Sequence, residues 1–203
     1  MSRIFFALLF LTFFFAAPGR AAVADRIVVS VDGSPYSQRY VMAYFIARES
    51  IQEVPADSKG SPARRPLFEE LAANWKQSLA KFAADMVIRH ESSRLGSFLT
   101  TPKILVKGVE RANARLASDK DLAASVAAIG LGEEELGQFV GAVLQVEGFR
   151  KSRDRQAAGV SQSTGASWQD ALLERALIRY FEGGDVWQTI SFPGTGAKPI
   201  NGD

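Results

Sequence analysis

Two short β-rich runs stand near opposite ends of a chain whose middle repeats its apolar residues at helical spacing. Ile27-Val28-Val29-Ser30-Val31 is the first, and residues 186–192 form the second. A strand cannot leave its backbone amides and carbonyls buried and unpaired, so the two are expected to pair with one another. Pairing brings the last helix back onto the N-terminal part and closes the fold around the middle helices. The expected fold class is mainly α: a multi-helix domain closed by a small β-sheet from strands near both chain ends.

Between the strands, turn and cap chemistry sets the punctuation. Asp32-Gly33-Ser34-Pro35 reads as a turn leading into a helix near Ser37, with Tyr40, Val41, Tyr44, Phe45 and Ile51 recurring along 37–53. Residues 55–66, rich in Pro, Ser, Gly and charge, read as a loop. One long helix is expected over 67–95, with Leu67, Leu71, Trp75, Leu79, Phe82 and Met86 on one face and Gly96 as its stop.

Thr101-Pro102 suits the start of the next helix, whose buried stripe is Leu105, Val109, Ala112 and Leu116. Ser118-x-x-Asp121 has the form of a capping box before a short helix carrying Leu122, Val126 and Ile129. After Gly130-Leu131-Gly132, three glutamates suit the positive end of a helix running to about Lys151, which buries Leu136, Phe139 or Val140, Val143 and Leu144. Arg150, Lys151, Arg153 and Arg155 suit its negative end. Ser167 with Asp170 caps a last helix through Trp168, Leu172, Ala176 and Tyr180, ended by Gly183-Gly184. The expected organisation is a helical core over 25–153, a flexible linker over 154–166, a helix and strand over 167–192 completing the core, and a disordered tail over 193–203.

The first 24 residues stand apart. Arg3, an apolar run from Ile4 to Phe15 and Ala22-Val23-Ala24 have the order of an export signal cleaved after Ala24. The run is shorter than the about 20 residues that span a bilayer, so a retained anchor is the second reading and no stable membrane insertion is expected after cleavage. The expected location is periplasmic, away from ATP, nicotinamide cofactors and cytosolic reductants, and no cofactor is expected. Removing Arg3 and Arg20 leaves 22 basic residues against 22 acidic ones, because the full chain holds 24 and 22. That balance offers no reason to expect a nucleic-acid partner. There is no cysteine, so no disulfide holds the fold and packing must do so.

The order of Asp25-Arg26-Ile27-Val28-Val29-Ser30-Val31-Asp32-Gly33, a helix ending in Glu91-Ser92-Ser93-Arg94-Leu95-Gly96, the helix after Thr101-Pro102, and Gly-Leu-Gly-Glu-Glu-Glu-Leu-Gly-Gln-Phe at 130–139 resembles the N-terminal domain of SurA-like periplasmic chaperones. The resemblance covers most of residues 25–192. It implies a C-terminal helix and strand completing the domain, unfolded or nascent envelope polypeptides as partners, and release without ATP. The family usually inserts parvulin-type prolyl isomerase domains where this chain has only 155–166, a segment too short for a domain. The resemblance therefore implies a chaperone core without isomerase activity. Met42, Tyr44, Phe45, Phe68, Trp75 and Met86 are the candidate peptide-binding residues, since methionine and aromatics adapt to varied side chains. The same residues at helical spacing also fit an ordinary core.

Catalytic constellations are sparse. Glu91-Ser92 matches the Glu-Ser pair of lytic transglycosylases, whose buried acid protonates a glycosidic oxygen, yet the Gly-Leu-Met-Gln-like segment of that family is missing. A peptidoglycan-cleaving enzyme using Glu91 is thus one alternative function, and a non-catalytic scaffold docking to one envelope partner is another. His90 is the only histidine and has no cysteine or second histidine to complete a metal site, so neither a metal nor a catalytic residue is assigned.

Overall fold

The computed structural model describes residues 25–52, 67–97, 100–158 and 167–182, and the backbone of 185–191. The expected export signal (1–24), the expected loop (55–66), residues 159–166 of the expected linker, Gly183-Gly184 and the expected tail (193–203) lie outside the described residues. The elements are β1 (Ile27–Val31), β2 (Ser34–Ser37), α1 (Gln38–Ile51), α2 (Leu67–Ala73), α3 (Trp75–Arg94), α4 (Pro102–Ser118), α5 (Lys120–Ala128), α6 (Glu133–Ala158), α7 (Trp168–Leu173), β3 (Leu177–Glu182) and β4 (Asp185–Ser191). The protein is mainly helical, with one antiparallel sheet built from both ends of the chain in the order β2-β1-β3-β4.

The sheet follows its sequence chemistry with two corrections. Asp32 and Gly33 have φ of 50° and 83°, the left-handed pair that a two-residue hairpin needs, and they fold β2 back onto β1. The chain therefore makes a hairpin before α1 instead of passing from the turn straight into the helix. Pro35 is tolerated because β2 is an edge strand. Asp32 then extends the sheet sideways: its amide donates to the Leu177 carbonyl and its Oδ1 accepts from the Leu177 amide, both at 2.9 Å.

The second correction concerns Tyr180. The last helix stops at Leu173, and Tyr180 lies on β3 opposite Val29. Ile178 and Tyr180 are buried while Arg179 between them is exposed, an alternation of period two that a helix cannot provide. It is β3, not the terminal run, that meets β1, and β4 pairs only on the outer side of β3.

Among the helices, Ser37 caps α1 through its hydroxyl, which accepts from the Tyr40 amide at 3.2 Å. The helix expected over 67–95 breaks at Asn74 (φ −122°, ψ 34°), so α2 and α3 are separate. Asparagine favours such a break because its amide competes for nearby backbone, and here Nδ2 donates to the Glu70 carbonyl. Thr101 and Pro102 open α4 as expected, although the Thr101 side chain forms no cap bond. Asp119, one residue beyond the expected Ser118, caps α5 by accepting from the Leu122 amide at 3.1 Å. The Ser167–Asp170 capping box is present in both directions. Helix α6 runs past Lys151 to Ala158, so the expected linker begins as helix.

A main core joins these elements, and a second small cluster of Ile88, Val146 and Phe149 lies under Trp168. Helix α1 lies at the centre of the main core, burying Val41, Ala43, Tyr44, Phe45, Ile46, Ala47 and Ile51 among α4, α5 and α6, with Tyr44 also reaching Phe82 and Asp85 of α3. Phe82 meets Tyr36, Tyr40 and Tyr44 edge-on, with ring centroids 5.2, 6.0 and 5.3 Å away.

Candidate polypeptide-binding cleft

The expected peptide-binding residues divide by burial. Tyr44 and Met86 are fully enclosed core side chains that line no open groove, whereas Phe45, 7 % exposed, is mostly core and shows only an edge. The reason is the position of α1: packed by helices on several sides, it turns Tyr44 inward and leaves only the edge of Phe45 towards the cleft. Met42, Phe68 and Trp75 are half-buried, and Phe68 and Trp75 pack against the core from its rim.

A cleft of about 260 Å³ does open beside them, between the end of α1, helix α2 and the start of α3. Phe45, Leu67 and Leu71 contribute its apolar surface. Gln52, Asn74, Gln77 and Ser78 contribute neutral polar groups, with Arg48 and Lys81 among the charged ones. The side chains of Gln52 and Gln77 make no hydrogen bond among the described residues. A carboxamide both donates and accepts, which matches the alternating amides and carbonyls of an extended peptide. Sequence periodicity missed these residues because it tracks apolar faces, whereas Gln52, Asn74 and Gln77 lie where helices end or begin.

Below the cleft lies a charged cluster. Asp85 is 1 % exposed, accepting from Tyr44 Oη (3.0 Å) and Arg48 Nη1 (2.7 Å) at Oδ2 and from Arg150 Nη2 (2.6 Å) at Oδ1. One carboxylate thus ties α1, α3 and α6 together and faces two guanidinium groups. Arg150 is drawn to Asp85 and, with α6 continuing to Ala158, does not serve the helix end.

Two further contacts hold the hairpin and the α5–α6 turn. Tyr36 Oη and His90 Nε2 lie 2.8 Å apart, and His90 Nδ1 is 3.7 Å from Asp32 Oδ2. This Tyr–His–Asp chain pins the hairpin to α3. Burial, with the neighbouring Tyr40 adding to it, pushes the Tyr36 hydroxyl up to about 12, the opposite of an activated nucleophile. Arg39 pairs with both Glu135 carboxylate oxygens and also donates to the carbonyls of Ile129 and Gly130, closing the end of α5. Glu91 accepts from Arg94 at 2.7 and 2.8 Å, and this hydrogen bonding holds its carboxyl below the usual range. A glycosidase acid keeps its proton by the reverse shift. Among the described residues no group of His, Asp and Glu is placed to hold a metal ion.

The buried tyrosines give the protein an alkaline limit. Burial raises Tyr36, Tyr44 and Tyr180 above the ordinary phenol value, and the Asp85 charge adds to the effect at Tyr44. The folded state therefore holds protons that the unfolded chain releases above pH about 10. Stability is full below that pH and falls as pH rises towards 12, by up to about 1.4 kcal/mol per pH unit for each such tyrosine. Urea midpoints measured across this range, with phenolate absorbance followed in parallel, check the slope; a flat profile contradicts it.

A second depression of about 400 Å³ lies between α4, α5 and the start of α6, where Leu116, Val126, Leu131 and Leu136 meet Asn113 and Glu133. No helix among the described residues is long and apolar enough to cross a membrane. The chain matches no protein-family model, no curated protein and no solved structure.

Proposed function

We propose that this protein holds unfolded or partly folded envelope polypeptides in the periplasm as an ATP-independent chaperone of SurA-like type, without an isomerase domain. The observation that carries this reading is the cleft between α1, α2 and α3, whose apolar surface from Phe45, Leu67 and Leu71 adjoins the carboxamides of Gln52, Asn74 and Gln77. Apolar contact gives weak, sequence-tolerant affinity, and carboxamides satisfy the backbone of a segment that has no sheet partner yet. The sheet assembled from both chain ends supports the same reading, since the resemblance implies a domain completed by its C-terminal segment. The groove differs from the one expected from sequence: Phe45 borders it, while Tyr44 and Met86 stand behind it as core.

Aggregation of a porin diluted from urea tests the proposal. Near-stoichiometric protein suppresses light scattering. Ser78→Trp, which fills the cleft from its α3 wall, requires about tenfold more protein for the same effect, the loss of one well-packed contact. Circular dichroism and the urea midpoint verify that this variant folds. Absence of suppression by folded wild-type protein overturns the proposal and favours a scaffold with one saturable envelope partner.

A further inference from the structure

Helix α4 carries a charge pattern that works against its own stability. Its first turn holds no acid but does hold Lys103, where the helix dipole is positive and a cation is unfavourable. Lys103, Lys107 and Arg111 recur every four residues and form one line along the helix, about 12 Å from first to last. All three are exposed, and none makes a side-chain hydrogen bond or ion pair among the described residues. This is not a general bias of the protein, whose basic and acidic residues balance once Arg3 and Arg20 are set aside.

The line is held outward. Buried Gly108 and Ala112 and half-buried Leu105, Val109 and Leu116 turn the opposite face to the core, so α4 cannot roll to hide its cations. Ile104 and Val106 flank the line at 51 % and 55 % exposure, the highest for large hydrophobic side chains among the described residues. Arg111 also reaches a depression of about 390 Å³ beside the end of α1, with Ile51, Ala114 and Arg115. The Arg115 Nε is enclosed there without an acceptor, although Nη2 pairs with Asp119 at 2.9 Å.

We propose that the outer face of α4 docks this protein peripherally on an anionic lipid bilayer. Lys103, Lys107 and Arg111 meet headgroup phosphates, and Ile104 and Val106 enter the interface beside them. A bilayer offers phosphate and hydrocarbon together at every point of its surface, which suits a straight basic line with flanking aliphatics. An acidic protein would need an apolar counter-surface matched to Ile104 and Val106. Such docking holds the protein at the membrane without spanning it, and leaves the cleft between α1, α2 and α3 to act independently.

Co-sedimentation of the full chain with phosphatidylcholine vesicles, with and without about one-third phosphatidylglycerol, tests this. The apolar run at 4–15 is common to wild type and variants, so their difference reads α4 alone. Wild type binds the anionic vesicles more tightly than neutral ones, and raising salt to about 0.5 M weakens that preference. The triple variant Lys103→Glu, Lys107→Glu, Arg111→Glu binds anionic vesicles on the order of a hundredfold more weakly, from roughly fivefold per cation. Glu110, an exposed acid on the same outer face three residues after Lys107, opposes the line, so Glu110→Lys tightens binding several-fold, and Ile104→Ser with Val106→Ser weakens it at low salt. Ser78→Trp leaves vesicle binding unchanged, so failure of the chaperone reading and failure of this one are separable. Equal affinity of wild type and triple variant, or indifference to phosphatidylglycerol, overturns the proposal. Charge-dependent binding of wild type to polyglutamate but not to vesicles overturns it in favour of an acidic polypeptide.

Discussion

Asp85→Ala lowers unfolding stability by about 3–5 kcal/mol, the largest effect expected of any single substitution proposed for this protein. Wild-type Asp85 is enclosed on α3 and neutralises two guanidiniums, Arg48 from α1 and Arg150 from α6, while accepting from Tyr44. Removing the carboxylate leaves two partly buried cations facing one another without an anion, and a buried hydroxyl without its acceptor. The Nε atoms of Arg48 and Arg150 are already enclosed without partners, so no spare hydrogen bonding absorbs the loss. Asp85→Asn keeps an acceptor for Tyr44 but not the charge, and falls between alanine and wild type. Urea unfolding checks both variants: the midpoint drops while the slope stays constant. A drop under 1 kcal/mol for Asp85→Ala means that water solvates the two guanidiniums and the cluster is not a structural tie.

Gly108→Val is expected to cost about 2–3 kcal/mol, the overpacking scale for a well-filled core. A Cβ at this position meets Leu144 Cδ1 at 2.6 Å and Val140 Cγ1 at 2.9 Å, both below contact distance. Glycine in a helix interior ordinarily weakens it by about 1 kcal/mol relative to alanine, so helix propensity alone predicts a gain from alanine here. The close crossing of α4 over α6 opposes that gain, and valine adds γ-methyls that α6 has no room for. Leu144 can move its tip, whereas Val140 is β-branched and stiff. Leu144→Ala in the Gly108→Val background therefore recovers part of the lost stability, read as non-additivity in a double-mutant cycle. Full additivity places the clash elsewhere.

How far sequence reached differs by residue. The helix start at Ser37, the Ser167–Asp170 box and the stripe of Leu136, Phe139 or Val140, and Val143 were legible because each depends on neighbours within four positions, and both Phe139 and Val140 are buried. The pairing of both chain ends was legible too, from the requirement that strand backbone be satisfied. The choice of strand was not. Residues 177–182 carry an alternation that also continues a helical stripe from Trp168 through Tyr180, and only the open edge of β1 selects the extended form. The peptide-binding candidates were aromatic and sulfur side chains on the right helices, but Tyr44 and Met86 proved to be core. Periodicity identifies an apolar face without saying whether another helix covers it.

The amino-acid sequence by itself determined the mainly helical class, most element starts, the reliance on packing without disulfides and the meeting of the two chain ends. These follow from local dihedral preferences, hydrogen-bond satisfaction and composition, which act over short spans or on the chain as a whole. Tertiary structure alone decided that Asp85 joins Arg48 and Arg150, that Gly108 lets α4 approach α6, and that Gln52, Asn74 and Gln77 gather around one cleft. Each of these relations links residues on different helices. Their energies depend on distances that no local pattern carries: a charge is stabilising or costly only according to what stands within a few ångströms once the helices have packed.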